Sequence, residues 1–487
     1  MKPAALVLLP AFVLLLQAQN PAVVPTDRLS DAWWAARHQS VLALVKNHAD
    51  AQLLLIGDSI TNNYEKATLP DENFLPTWKQ FYEPRKALNL GFSGDTTANV
   101  LWRLEHGEVD GLHPKVAMVM IGTNNTGHAN QTAEQTEVGI DAVIAELEEK
   151  LPSTKILLLA ILPSALSDAK SANDAKVNQY LANCYGDNQR VAYLDIGSIF
   201  YKNGALNTDI FYDPRLPFHG KALHPDTNGQ RMMAEAVEPT LAKLMGDAPS
   251  LPLAQMTDIN TALIPVGRLE QDSYDWYGRH HAELELEKKM KPRVVMIGDS
   301  ITHFWGGMPA GTVVNGTGVW AKFFGDSPVI NMGFGWDRTQ NVLWRLRQGE
   351  LEGLNPQWIV LNIGTNNLTA TSNSRSNTPD EIAAGVEAVC AELHKRSPES
   401  HIVLMGIFPR GAKPTNAFRA PIEKANHLLA EHYSADQVVT FLDIGNQLLA
   451  SDGTLSKDIM PDGTHPSEAG YQIWADALAK AGVNPGL

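Results

Sequence analysis

Two serines in this chain each follow an apolar, strand-like run that ends in Gly-Asp: Ser59 in LLLIGDSITNNY and Ser300 in VVMIGDSITHFW. A hydroxyl at the tip of a buried strand is where an α/β hydrolytic protein presents a nucleophile. Nucleophilic serine chemistry also needs a base, a group that orients the base, and donors for an oxyanion. In the second half, DGTHPSEAGYQIW supplies Asp462 and His465, three residues apart. One short loop can then aim the imidazole at Ser300 while the carboxylate holds its other nitrogen. The GTNN turn adds Asn366, whose side-chain amide can join the Ser300 N–H as an oxyanion donor. The first half repeats the order with Ser59, Asn124 and His224, but Lys221 stands where the carboxylate is expected. Asp213 aligns with Asp462 by its left-hand context, and an insertion separates it from His224. Three readings stay open there: Asp213 loops back to complete a triad, a backbone carbonyl orients His224 in a dyad, or this copy is catalytically poor.

These residues must be positioned by a duplicated fold. From Asn89 to Asn125 the first half faces the second with 21 of 37 positions identical and no gap. A period of about 240 residues is far longer than a solenoid unit and means tandem domains. The expected boundaries are 1–18 for an export signal, 23–248 for the first repeat, 249–264 for a linker marked by Pro249 and Pro252, and 265–487 for the second repeat. In the first copy LLLIG, ALNLG, VAMVMIG, KILLLAIL and VAYLDI read as strands apolar throughout, the pattern of strands covered on both faces. Segments such as TAEQTEVGIDAVIAELEEKL carry apolar residues at helical spacing. The expected architecture is therefore α/β: two tandem flavodoxin-like, three-layer domains, each with a five-stranded parallel sheet. Ligands of such sheets sit at the carboxyl ends of the strands. GDS, GFSGD and IGTNN all fall there and should converge on one cleft. Asp58 and Asp299 are expected to hydrogen-bond the turn rather than act as glycosidase carboxylates.

Composition narrows the partners. A net charge of −15 argues against nucleic acid and anionic membranes, because phosphate recognition needs clustered cations. Lys2, the apolar run Ala4 to Leu16 and Ala18 read as a cleavable export signal, so the expected location is secreted or periplasmic, with no membrane insertion after its removal. Cys184 and Cys390 fall at non-equivalent positions and read as separate buried thiols. No metal-ligand cluster and no phosphate cradle is evident, so neither metal nor organic cofactor is expected. His106, His113 and His128 lack counterparts in the second copy and are expected at the surface or rim. Arg37-His38 and Arg279-His280 read as packing or interdomain-contact residues, with a substrate-rim role as the alternative.

Taken together, these blocks resemble the SGNH (GDSL-type) hydrolase family, named for invariant Ser, Gly, Asn and His. VLWRL-x-x-GE-x-x-G-x-x-P followed by IGTNN resembles more closely the catalytic subunits of intracellular platelet-activating-factor acetylhydrolase and their secreted bacterial relatives. The resemblance implies Ser59 and Ser300 as nucleophiles, His224 and His465 as bases, and Asn124 and Asn366 in the oxyanion hole. It places the oxyanion glycine at Gly94, but Trp336 occupies that position in the second copy. A tryptophan still offers its N–H, although positive φ there would strain it; it marks either a shifted loop or an aromatic wall. The expected activity is a serine esterase releasing small acyl groups, acetyl first, through an acyl-enzyme, with activity falling in acid as the base takes up a proton. The preferred substrate is an acetylated carbohydrate, with Tyr64, Trp305, Trp320 and Trp336 as possible flat faces for sugar rings. The alternatives are a lipid or phospholipid acyl-ester hydrolase, or one catalytic repeat beside a carbohydrate-binding pseudoenzyme repeat.

Overall fold

The computed structural model describes residues 20–483 except 187, 189, 203 and 217–219. The export-signal reading of residues 1–18 lies outside the described residues. In the first domain the strands are β1 (Leu53–Gly57), β2 (Ala87–Gly91), β3 (Val116–Met120), β4 (Lys155–Leu159) and β5 (Val191–Leu194). They are all parallel, in the order β2-β1-β3-β4-β5. The second domain repeats this with β6 (Val294–Gly298), β7 (Val329–Gly333), β8 (Trp358–Asn362), β9 (His401–Met405) and β10 (Val439–Leu442), in the order β7-β6-β8-β9-β10. The flavodoxin-like expectation holds in both copies.

Side-chain alternation divides each domain into two apolar layers. Leu53 and Leu55 face one layer, Leu54 and Ile56 the other. Val294 and Met296, against Val295 and Ile297, do the same in the second domain. Every one of these side chains is fully buried, as strands covered on both faces require. The helix read from TAEQTEVGIDAVIAELEEKL spans Ala133–Lys150, capped by Thr132, with Ile140, Val143, Ile144 and Leu147 turned inward.

Register brings the three loops level. Gly57 at the end of β1 pairs with Gly91 of β2 and Met120 of β3. Gly298 pairs with Gly333 and Asn362 in the second copy. A Cβ on Gly57 would lie 2.3 Å from Thr61 Oγ1 and 2.5 Å from the Met120 carbonyl. Only glycine lets the chain turn that sharply into the one-turn helix that starts at each serine.

Residues 249–264 form a packed connection rather than a free tether. Leu251, Leu253, Met256 and Ile259 are buried in a core cluster of the first domain. Asn260 already belongs to the second domain, donating to the Glu381 carbonyl, as Asn20 donates to that of Gln135 in the first. Ala262 O then accepts from Thr339 Oγ1 at 2.9 Å, matching Ala22 O and Thr97 Oγ1 at 2.8 Å. Cys390 is buried as expected, but Cys184 is exposed, and neither forms a disulfide. Among the described residues no helix is long and apolar enough to cross a membrane.

Candidate active site

Both serines meet their histidines. Ser59 Oγ lies 3.0 Å from His224 Nε2, and Ser300 Oγ lies 2.8 Å from His465 Nε2. Each serine is the first residue of its one-turn helix and is almost buried. The preceding aspartates cap these helices. Asp58 Oδ1 accepts from Ile60 N–H at 3.0 Å and Asp299 Oδ1 from Ile301 N–H at 2.9 Å, the turn-forming role expected of them. Burial pushes the Asp58 carboxyl up to about 6 and that of Asp299 up to about 7.

Asp213 reaches His224 across the insertion. Its Oδ1 is 2.7 Å from His224 Nδ1, while Oδ2 accepts from the main-chain N–H of Leu223 and His224. Asp462 makes the same set: Oδ2 lies 2.6 Å from His465 Nδ1, and Oδ1 accepts from Thr464 and His465 N–H. Burial opposes the negative charge on each carboxylate, yet the hydrogen bonds outweigh it and hold both below the usual carboxylate range. Of the three readings for the first copy, the geometry matches the looped-back aspartate. Tyr212 N–H donates to the His224 carbonyl and Asp226 N–H to that of Ile210, so a short antiparallel pairing sets Asp213 beside the ring. Lys221 points elsewhere and donates to the Leu166 carbonyl.

The candidate oxyanion donors come from the neighbouring strand ends. Asn124 Nδ2 donates to the Asp95 carbonyl at 2.9 Å, and Asn366 Nδ2 to that of Asp337 at 3.0 Å. An amide nitrogen carries two hydrogens, so each asparagine keeps a second donor for an oxyanion. Gly94 has φ +82° and Trp336 φ +66°. The loop is therefore not shifted in the second copy; Trp336 takes the left-handed conformation of the glycine it replaces.

The sequence reading missed what anchors this loop. Asp95 is wholly buried and accepts from Trp34 Nε1 at 2.8 Å and Arg103 Nε at 2.8 Å, and Arg103 also pairs with buried Glu108. Asp337, Trp276, Arg345 and Glu350 repeat the arrangement. The signal was present: Arg and Glu of WRL-x-x-GE are these residues. Also missed were the aromatic rings behind the histidines. Tyr212 stacks on His224 at 5.4 Å, whereas Phe304 lies 4.9 Å from His465.

Other expectations sort by burial. Tyr64 and Trp305 are core residues with no face for a sugar, and Trp320 is half-buried against Trp305 and Phe324. Trp336 alone of the four is exposed, at 40%. His106, His113 and His128 are exposed as expected. Arg279 ties the Gly333, Asn331 and Pro309 carbonyls together, and His280 binds Glu350, a packing role.

A serine, histidine and aspartate in hydrogen-bonded sequence, with amide donors beside the serine at the strand ends of a three-layer α/β domain, define a serine-hydrolase site, present twice. A family model described as GDSL-like lipase/acylhydrolase matches residues 55–232 and again 296–473, and the chain belongs to that family. It is a carboxylic ester hydrolase. The chain is 34% identical over 215 residues to platelet-activating factor acetylhydrolase IB subunit alpha2 of Rattus norvegicus, covering 44% of this chain and 86% of that protein. It is 32% identical over 203 residues to the alpha1 subunit of Homo sapiens, covering 42% and 80%. Among solved structures it is similar to a catalytic mutant of an acetylxylan esterase from Geobacillus stearothermophilus, with 19% identity, 39% of this chain and 95% of that one covered, and a TM-score of 0.32.

Proposed function

We propose that both domains are working acetylesterases acting on O-acetylated carbohydrate outside the cytoplasm. The observation that carries the reading is the pair of unbroken chains Ser59–His224–Asp213 and Ser300–His465–Asp462, with every link between 2.6 and 3.0 Å. In each, histidine Nε2 takes the serine proton as Oγ attacks the ester carbonyl. The serine N–H, the N–H of Gly94 or Trp336, and the amide of Asn124 or Asn366 receive the oxyanion. The alcohol leaves with the proton from histidine, and water then attacks the acyl-enzyme and releases acetate. Acetyl is the acyl group chosen because the curated relatives are acetylhydrolases. Carbohydrate is favoured by an exposed indole at the oxyanion position of the second site and by the signal-like N-terminal residues.

A second reading, a lipid acyl-ester hydrolase, has its own support. The same relatives are named for a lipid substrate, and Met308, Val313 and Val314, on the segment that follows the second nucleophile helix, are exposed. Ser59→Ala, Ser300→Ala and the double variant, assayed on p-nitrophenyl acetate, acetylated polysaccharide and a phospholipid carrying an acetyl ester, test the proposal. Each single variant should retain part of the activity and the double variant none. Activity persisting in the double variant refutes the site, and release of acetate from the phospholipid alone selects the lipid reading.

A further inference from the structure

The oxyanion loop is latched differently in the two domains. In the first, Arg28 Nη1 donates to the Ser93 carbonyl at 2.8 Å and fills the space a Cβ on Gly94 would enter, 2.9 Å away. In the second, the matching carbonyl, Gly335 O, accepts from Tyr274 Oη at 3.3 Å, and Gly335 N–H donates to His303 Nδ1 at 3.3 Å. His303 suits that acceptor role, because burial and then nearby Arg279 push its pKa down to about 3. Arg268, the counterpart of Arg28, lies over the Tyr277 ring instead. Moving the latch from an arginine to Tyr274 and His303 vacates the space in which a side chain at position 336 must stand.

That position is strained. Trp336 holds φ +66°, a conformation that penalises a bulky residue and leaves a glycine free. Backbone strain of this kind persists where the surrounding structure enforces it, and functional sites are where it collects. The indole is exposed rather than packed, so core burial does not account for it.

We propose that Trp336 is a substrate-binding platform on which the sugar ring bearing the acetyl group packs. It makes the second site more selective for ring-bearing esters than the first, which presents the Arg28 guanidinium there. The inference rests on the carbohydrate reading above. The test compares kcat/KM for an acetylated methyl pyranoside and for ethyl acetate, in Ser59→Ala protein so that only the second site turns over. Trp336→Gly should lower the pyranoside-to-ethyl-acetate ratio about tenfold, chiefly through KM, the size of one aromatic stacking contact. Trp336→Phe should hold the ratio within about threefold. The Ser300→Ala protein, reporting the first site, should show the lower ratio of the two sites. If Trp336→Gly changes both substrates alike, or the first site matches the second, the platform is refuted while the carbohydrate reading stands. If the pyranoside is never cleaved while ethyl acetate is, both fall. Should Trp336→Gly lose both substrates, Trp336→Leu, which keeps apolar bulk without a ring face, is judged by the same ratio.

Discussion

Asp213 and Asp462 hold their histidines by the same three hydrogen bonds, although one lies eleven residues before its ring and the other three. Each accepts two successive main-chain N–H groups as well as the imidazole, so the carboxylate fixes the histidine backbone and its ring together. A carboxylate held below its ordinary pKa contributes stability that is complete above the unfolded value of about 4 and is lost as pH falls through the folded value. The orienting contact should therefore survive mild acid in both sites. Asp213→Asn in the Ser300→Ala protein should lower kcat by up to about 10⁴, the cost of a wrongly oriented base. Lys221→Ala in the same protein should stay within about twofold, as expected of a surface change. An active Asp213→Asn enzyme would show that His224 works as a dyad. The Asp462–His465 pair was legible from spacing alone because both residues share one loop. Asp213 was only one of three options, since nothing local says how an insertion closes.

At the scale of elements, each oxyanion loop is pinned by a buried arginine on the helix that follows it, Arg103 on Thr97–Glu105 and Arg345 on Thr339–Arg347. Removing one partner of such a pair leaves an uncompensated buried charge, which explains why Trp, Arg and two carboxylates recur together in both copies. The helix Trp276–Glu287 departs from its counterpart Ala32–Asn47 by carrying Glu283 and Glu287 where the first domain has Val41 and Val45. Burial pushes Glu287 up to about 8, with the charge on Glu350 adding to the shift. A carboxyl raised in the folded state stabilises below its unfolded pKa, and that contribution is lost as pH rises toward the folded value. Glu287→Gln removes this titration while keeping an acceptor for Leu351 N–H. Its stability relative to the parent should rise by about 4 kcal/mol between acid and pH 8, read by thermal or denaturant unfolding of the second domain. A pH-independent difference would show that Glu287 does not titrate there.

The whole molecule is two complete sites on one chain. Each Ser, His, Asp and Asn comes from its own domain, and none is shared across the packed connection at residues 249–264. The sites should therefore work independently: kcat/KM values of Ser59→Ala and Ser300→Ala on p-nitrophenyl acetate should add up to that of the parent within about twofold. A large deficit would mean that one domain supports the other's turnover.

The duplication, the parallel three-layer fold and the convergence of Ser59 with His224, and of Ser300 with His465, beside Asn124 and Asn366 were legible in the sequence by itself. Strand-end motifs and loop spacings are local, and a parallel sheet has to carry its strand-end loops to one edge. Other features were decided only by the tertiary structure. Residue type does not encode backbone φ, so Trp336 could equally have marked a shifted loop. Aromatic content does not encode depth, so Tyr64 and Trp305 could not be told from surface platforms until packing buried them. The partner of His224 depended on the pairing of residues 210–212 with 224–226, a contact made between segments that an insertion had separated.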